Sequence, residues 1–210
     1  MRNIIFENNQ YYHVYNRGVE KREVFVEESD YIRFLDGMRE FNQVELTDGL
    51  FKLWRREGEP GSALRDRARL PLVEIISFCL NPNHFHIQLK QVADDGISRF
   101  MHKLGTGYTN YFNLKNKRCG PLFQGRFKAK YLSSEESLFW LSVYIHGNPE
   151  IHGYTNKAED YEWSSYRDYL GLRDKELITC NRDIVMKQIN KEDYKQSVIE
   201  GTKIIIQSRT

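Results

Sequence analysis

Two hydrophobic periods alternate along the chain. Residues 11–18, YYHVYNRG, are aromatic and β-branched and close on a glycine, which predicts a strand. In ESDYIRFLDGMREFNQ, apolar residues fall at 31, 32, 34, 35, 38 and 41, a helical stripe with Ser29 and Asp30 as cap candidates. PLVEIISFCL (71–80) and HFHIQLKQV (84–92) read as two strands of a hairpin, joined by the turn NPN. DDGISRFMHKLGTGYTNYFNLK then returns to a helical pattern, weakened locally by Gly105 and Gly107. RFKAKYLS (126–133) alternates as a further strand. SSEESLFWLSVYIHGNP predicts a helix opened by a capping box, Ser133 or Ser134 with Glu136 or Ser137, and stopped at Asn148–Pro149.

The order strand, helix, strand, strand, helix, strand, helix predicts the α+β class. Its first six elements form the ferredoxin-like split βαβ arrangement, an antiparallel sheet with helices on one face. Residues 44–70 carry Gly, Pro and dense mixed charge and read as an inserted, partly disordered loop. Beyond the last predicted helix, YEWSSYRDYLG and the charged tail to Thr210 read as short helices and connectors.

Composition adds boundaries. The chain has 210 residues, 40% hydrophobic and 29% charged, as expected of a soluble globular protein. The N-terminal stretch does not resemble a signal peptide, and no apolar run approaches the ~20 residues that span a bilayer. Cys79, Cys119 and Cys180 form neither a disulfide framework nor a CxxC zinc site, which points to a reducing cytoplasm.

The net charge of +2 conceals an asymmetry. From Arg99 to Lys130 there are eight Lys and Arg and no Asp or Glu, giving +8 and leaving −6 for the remainder. Six aromatic residues are interleaved: Phe100, Tyr108, Tyr111, Phe112, Phe123 and Phe127. Cations that neutralise phosphates, mixed with rings on which bases stack, are the pattern of a nucleic-acid surface. Several of these rings also suit a core.

The hairpin carries the candidate chemistry. His84 and His86 stand two apart on a strand, so their imidazoles project from one face. They serve either as half of a metal site or as hydrogen-bonded histidines, and the pair alone leaves both open. A metal needs further donors. Gln88 lies one step along the same strand face. On the last predicted helix, Tyr144 and Asn148 stand four apart and share a side. If that side covers the histidine strand, Asn148 offers a carbonyl oxygen and Tyr144 a phenol. With 13 tyrosines in the chain, position alone leaves Tyr108 and Tyr111 among the competitors.

The ordered set HFH, SFCLNPNHFHIQL, MHKLGTGYTNYFN, GPLFQGRFKAK, YIHGNP and YEWSSY resembles the HUH endonuclease superfamily. Within it the chain is similar to single-tyrosine transposases of the insertion-sequence-200 type, above all the REP-associated tyrosine transposases. The resemblance runs from about Tyr11 to about Leu170, implying a catalytic domain over 1–170 and a C-terminal extension over 171–210. It implies that His84 and His86 bind a divalent metal, Mg²⁺ or Mn²⁺, with Asn148 as third ligand. Tyr144 would attack single-stranded DNA, leaving a 5′-phosphotyrosine and a free 3′-hydroxyl. Many family members carry Gln or another acceptor where Asn148 stands. The implied partner is single-stranded or hairpin DNA, bound by a monomer or homodimer in the cytoplasm. Arg118, Arg126, Lys128 and Lys130 become candidates for phosphate contacts, and Tyr108 and Tyr111 for base stacking. Phe112 and Phe127 are assigned to the core.

Two other readings compete. HFHIQL also contains His-x-His-x-Gln, a pattern of histidine-triad nucleotidyl transferases, in which a histidine is the nucleophile. A hairpin-DNA-binding protein without cleavage activity is the other.

Overall fold

The computed structural model describes residues 4–44, 70–187 and 189–209. Four strands form one antiparallel sheet: β1 (Tyr11–Arg17), β2 (Val73–Asn81), β3 (His84–Gln91) and β4 (Lys128–Leu132), in spatial order β2-β3-β1-β4. Helix α1 (Glu28–Glu40) follows β1, and α2 (Gly96–Lys115) follows β3. This is the expected split βαβ arrangement. Then come α3 (Glu135–Ile151), the short α4 (Tyr166–Leu170) and α5 (Asp183–Met186), and α6 (Lys191–Gln207). The loop expected over 44–70 lies outside the described residues except for its ends, where the Val44 amide donates to the Leu70 carbonyl.

Strand alternation decides what each sheet face meets. Phe85, Ile87 and Leu89 of β3 pack with Val14 of β1, Phe34, Leu35 and Met38 of α1, and Phe100, Leu104 and Tyr108 of α2. His84, His86 and Gln88 face α3, which covers the opposite side of the sheet. Strand β2 serves both faces through a register shift between Ile75 and Ser77. Ile75 and Phe78 join the first core, whereas Ile76 joins a second with Val143, Tyr166, Tyr169, Tyr194 and Val198. The β2 edge is covered, because Leu80 donates to Trp163, Ser165 to Phe78 and Asn181 to Ile75 through their backbones. At the other edge lies β4, only five residues long, with Lys128 and Lys130 exposed.

Local signals explain the ends of α3. Ser134 is its N-cap and exchanges hydrogen bonds with Ser137, the expected capping box. The helix does not stop at Asn148–Pro149 but runs to Ile151. A proline removes one donor from the helical ladder, and here the buried flanks hold the last turn in place. Nearly everything from Ser142 to Ile151 is buried, since α3 is sandwiched between the sheet and α6.

The tail therefore differs from the short helices expected. α6 spans 17 residues and buries Tyr194, Val198 and Thr202, one stripe at four-residue spacing. It lies close against α3 at Gly147, where a Cβ would stand 2.1 Å from Thr202 Oγ1. Gly147→Ala is expected to lower stability by about 1–3 kcal/mol, the usual scale of overpacking. Thr202→Ala should restore part of the loss, because it removes the clashing hydroxyl, which is buried without a partner. Thermal denaturation of the two single variants and the double variant checks this. Equal melting of Gly147→Ala and the parent would show that α6 yields freely.

Candidate active site

Strand β3 and helix α3 bring the sequence candidates face to face. The ring centroids of His84 and His86 are 5.2 Å apart, with planes nearly perpendicular at 88°. Asn148 Oδ1 lies 2.9 Å from His84 Nε2. The half-buried Tyr144 ring meets the His86 ring edge-on, centroids 5.5 Å apart. The spacing of four that joins Tyr144 to Asn148 thus spans the two histidines. Gln88 shares the face but is fully used: its Oε1 accepts from Ser77 Oγ at 2.8 Å and its Nε2 donates to the Leu138 carbonyl at 3.1 Å.

Hydrogen bonds fix the imidazoles. Asn83 Nδ2 donates to the Lys21 carbonyl, which turns Asn83 Oδ1 toward His84 Nδ1 at 2.6 Å. That places the His84 proton on Nδ1 and leaves Nε2 as an acceptor. His84 Nε2 and Asn148 Oδ1 are then two acceptors facing each other, and Asn81 Nδ2 donates to both, at 3.1 and 2.6 Å. His86 Nδ1 lies 2.8 Å from Nε2 of His13 on β1, so Nε2 is the free nitrogen of His86. Burial lowers the pKa of His13 to about 4, helped by Lys130. Burial also lowers His84 to about 4, opposed by Asn148 Oδ1, which would accept from the charged ring, and helped by His152 and Arg17. His86 falls well below its ordinary value, first from burial and then from His13, His84 and His152. All three are neutral at pH 7, with lone pairs available.

This donor set fits a small divalent cation. Adjacent ligands on an octahedron with bonds of about 2.1 Å stand about 3.0 Å apart, close to the 2.9 Å between His84 Nε2 and Asn148 Oδ1. Among the described residues, no three His, Cys, Asp or Glu side chains converge as a ready-made cage. A third protein donor could then be an amide oxygen such as Asn148 Oδ1, whose own Nδ2 is buried without a partner.

The remaining candidates divide between the two faces. Lys128 pairs with Tyr15 and Lys130 with His13, while Tyr15 pairs with His86, so both exposed lysines share the histidine face. Arg126 is exposed on the approach to β4, beside a groove of about 660 Å³ that runs along α2. Arg118 braces its own loop, donating to Asn113 Oδ1 and to the Pro121 carbonyl. Tyr111 is tied by its hydroxyl to Asp30 on the α1–α2 side. Tyr108 corrects the expectation of base stacking. It is 2% exposed and its hydroxyl donates to the Val24 carbonyl, so its ring belongs to the core. Phe112 is core as expected, and Phe127 packs half-buried against it.

Three neighbours escaped the sequence reading: Asn81, His13 and His152, whose ring lies 4.8 Å from that of His84. For His13 a signal existed. Alternation places Tyr11, His13, Tyr15 and Arg17 on one strand face. His152 continues the series 144, 148, 152 along α3, as its C-cap.

The fold is one found among tyrosine transposases. One solved structure that shows it is of a REP-associated tyrosine transposase bound to a REP hairpin. It aligns with a TM-score of 0.56 over 87% of this chain and 95% of that one, at 16% sequence identity. No protein-family model matches the chain, and no curated protein matches it in sequence. Among the described residues, no helix is long and apolar enough to cross a membrane.

Proposed function

We propose that this protein is a metal-dependent transposase that cleaves and rejoins single-stranded DNA, with DNA hairpins as its recognition element. The observation that carries the reading is the meeting of the Tyr144 ring with His86 while Asn148, on the same side of α3, meets His84. The fold shared with a hairpin-bound transposase supports it.

Tyr144 Oη is the nucleophile toward phosphorus. Its bond to phosphorus forms as the bond to the 3′-oxygen breaks, the phenol gives up its proton, and the departing oxygen takes one up. The products are a 5′-phosphotyrosine and a free 3′-hydroxyl, and the reverse reaction rejoins strands. His84, His86 and Asn148 would hold Mg²⁺ or Mn²⁺, which when bound would supply Lewis acidity toward a phosphate oxygen. His13 orients His86 through the bond between their ring nitrogens. Lys128 and Lys130 draw the DNA backbone to this face, and Arg126 lies at its approach.

The test is incubation with a pool of DNA hairpins bearing randomised single-stranded flanks, in Mn²⁺, followed by denaturing electrophoresis. A covalent protein–DNA band that disappears with chelator is expected, and sequencing the attached strand locates the cut. Tight binding with no adduct in any metal would leave a hairpin-binding protein without cleavage. The metal is read separately by melting. At Mn²⁺ a hundredfold above its dissociation constant, stability should rise by about 2.7 kcal/mol. That is roughly 5–10 °C for a chain of this size. His84→Ala and His86→Ala should abolish the rise, and a rise that survives both would place the ion elsewhere.

A further inference from the structure

We propose that Arg17 is a phosphate-binding residue of this site, gripping a non-bridging oxygen of the phosphodiester that Tyr144 attacks. The proposal rests on the reading of function above. Arg17 is the last residue of β1 and pairs directly with His84 across the sheet, so its side chain leaves on the histidine face. Four arginines among the described residues are ion-paired: Arg22 with Glu20, Arg39 with Asp36, Arg173 with Asp168, and Arg182 with Glu176. The Arg17 guanidinium makes no ion pair or side-chain hydrogen bond among the described residues, and its Nε is out of water without an acceptor. An N–H out of water with no acceptor carries a cost that an anion at the guanidinium would relieve.

The charge is also felt at the site. Arg17 contributes to the lowered pKa of His84 and of His152, and works against the upward shift that burial gives Tyr154. Those three residues surround the Asn148 end of the metal-ligand set. The backbone is occupied in holding the strand end: the Arg17 amide donates to Asn16 Oδ1 and its carbonyl accepts from Gln124. The side chain is left free for a ligand.

Phosphate is the chemistry that suits this fork. Guanidinium presents parallel N–H donors that match two phosphate oxygens. As Tyr144 Oη adds to phosphorus, negative charge builds on the non-bridging oxygens, and a fixed cation there stabilises the transition state more than the ground state.

The test compares two versions of the DNA that the wild-type protein cleaves. One carries the ordinary phosphodiester at the cut, and the other a methylphosphonate, in which a methyl group replaces one charged oxygen. Arg17→Met is expected to slow adduct formation on the phosphodiester about 100-fold or more, the scale for losing one transition-state donor. On the methylphosphonate it should match wild type within a few-fold. In chelator, fluorescence anisotropy should show the methyl substitution weakening binding to wild type and not to Arg17→Met. If Arg17→Met fails to fold, Arg17→Lys carries the same comparison, since it keeps charge but loses the fork. Equal slowing on both substrates, or none on either, would overturn the role of Arg17 alone. Wild-type protein that forms no adduct on any hairpin would overturn the function and this role together.

Discussion

Tyr144→Phe removes the covalent protein–DNA adduct and leaves hairpin binding in place. The expected loss in adduct formation is on the order of 10⁴-fold or more, because a phenyl ring offers no oxygen and no neighbour replaces a missing nucleophile. The fold should not notice. The Tyr144 hydroxyl makes no hydrogen bond among the described residues, and its half-buried ring keeps the edge contact with His86 in the variant. Melting temperature should stay within a degree or two while the denaturing gel goes blank. The experiment also separates the chemistry by class. A histidine-triad transferase would use an imidazole as nucleophile, so a small-nucleotide activity that survived Tyr144→Phe intact would favour that rival. Persistence of the DNA adduct would move the nucleophile to another tyrosine.

Acid is expected to unfold the protein through its buried histidines before its carboxylates titrate. His146 on α3 is fully buried, bridging Tyr194 Oη at 2.7 Å and Ser165 Oγ at 2.8 Å, and burial lowers its pKa to about 3. In the unfolded chain a histidine titrates near 6.5. Below that pH the unfolded state takes up a proton that the native state refuses, so stability present above pH 6.5 is lost as pH falls toward 3. The slope is up to about 1.4 kcal/mol per pH unit for one such group. His13 and His84, both lowered to about 4, act in the same direction down to that pH. At pH 4.5 the three together remove up to about 8 kcal/mol, comparable with the whole stability of a typical domain. Melting curves from pH 7.5 to 4.5 should fall steeply below pH 6.5, and His146→Gln should flatten the fall by about one proton. A flat profile down to pH 5 would contradict the neutral burial of these rings. Asp30, whose carboxyl is held below its ordinary value by Lys115 and backbone amides against the opposing effect of burial, contributes only at lower pH.

What the sequence disclosed follows the range of the interactions involved. The His84/His86 pair, the NPN turn and the Tyr144/Asn148 spacing are local patterns, set by strand and helix periods, and they place those residues correctly on their own elements. Whether the helix covers the strand is a long-range matter, and only the packing of α3 on the sheet decides it. His13 and Arg17 were missed for that reason. Their facing partners lie some seventy residues away on β3, and strand register is not written within β1. Tyr108 shows the opposite failure. Its charge context suggested a surface, yet Phe100, Leu104, Tyr108 and Phe112 recur every four residues, a buried stripe legible from spacing alone. The acid-free segment has no single destination. Its Lys115 closes an ion pair to Asp30 at the start of α1, and its Lys128 and Lys130 reach the histidine face. Helix α6 stayed hidden because three buried residues among charged neighbours make a faint signal.

The outer margin of β4, which no strand among the described residues pairs with, has a further bearing on how molecules of this protein coexist. A sheet border with unsatisfied amides and carbonyls invites a second sheet to zip onto it. Here the border is five residues long and carries two ammonium groups at alternate positions, so two such borders meeting would set like charges against each other. Turning those lysines into valine or threonine would take away the repulsion and leave a template for fibre growth.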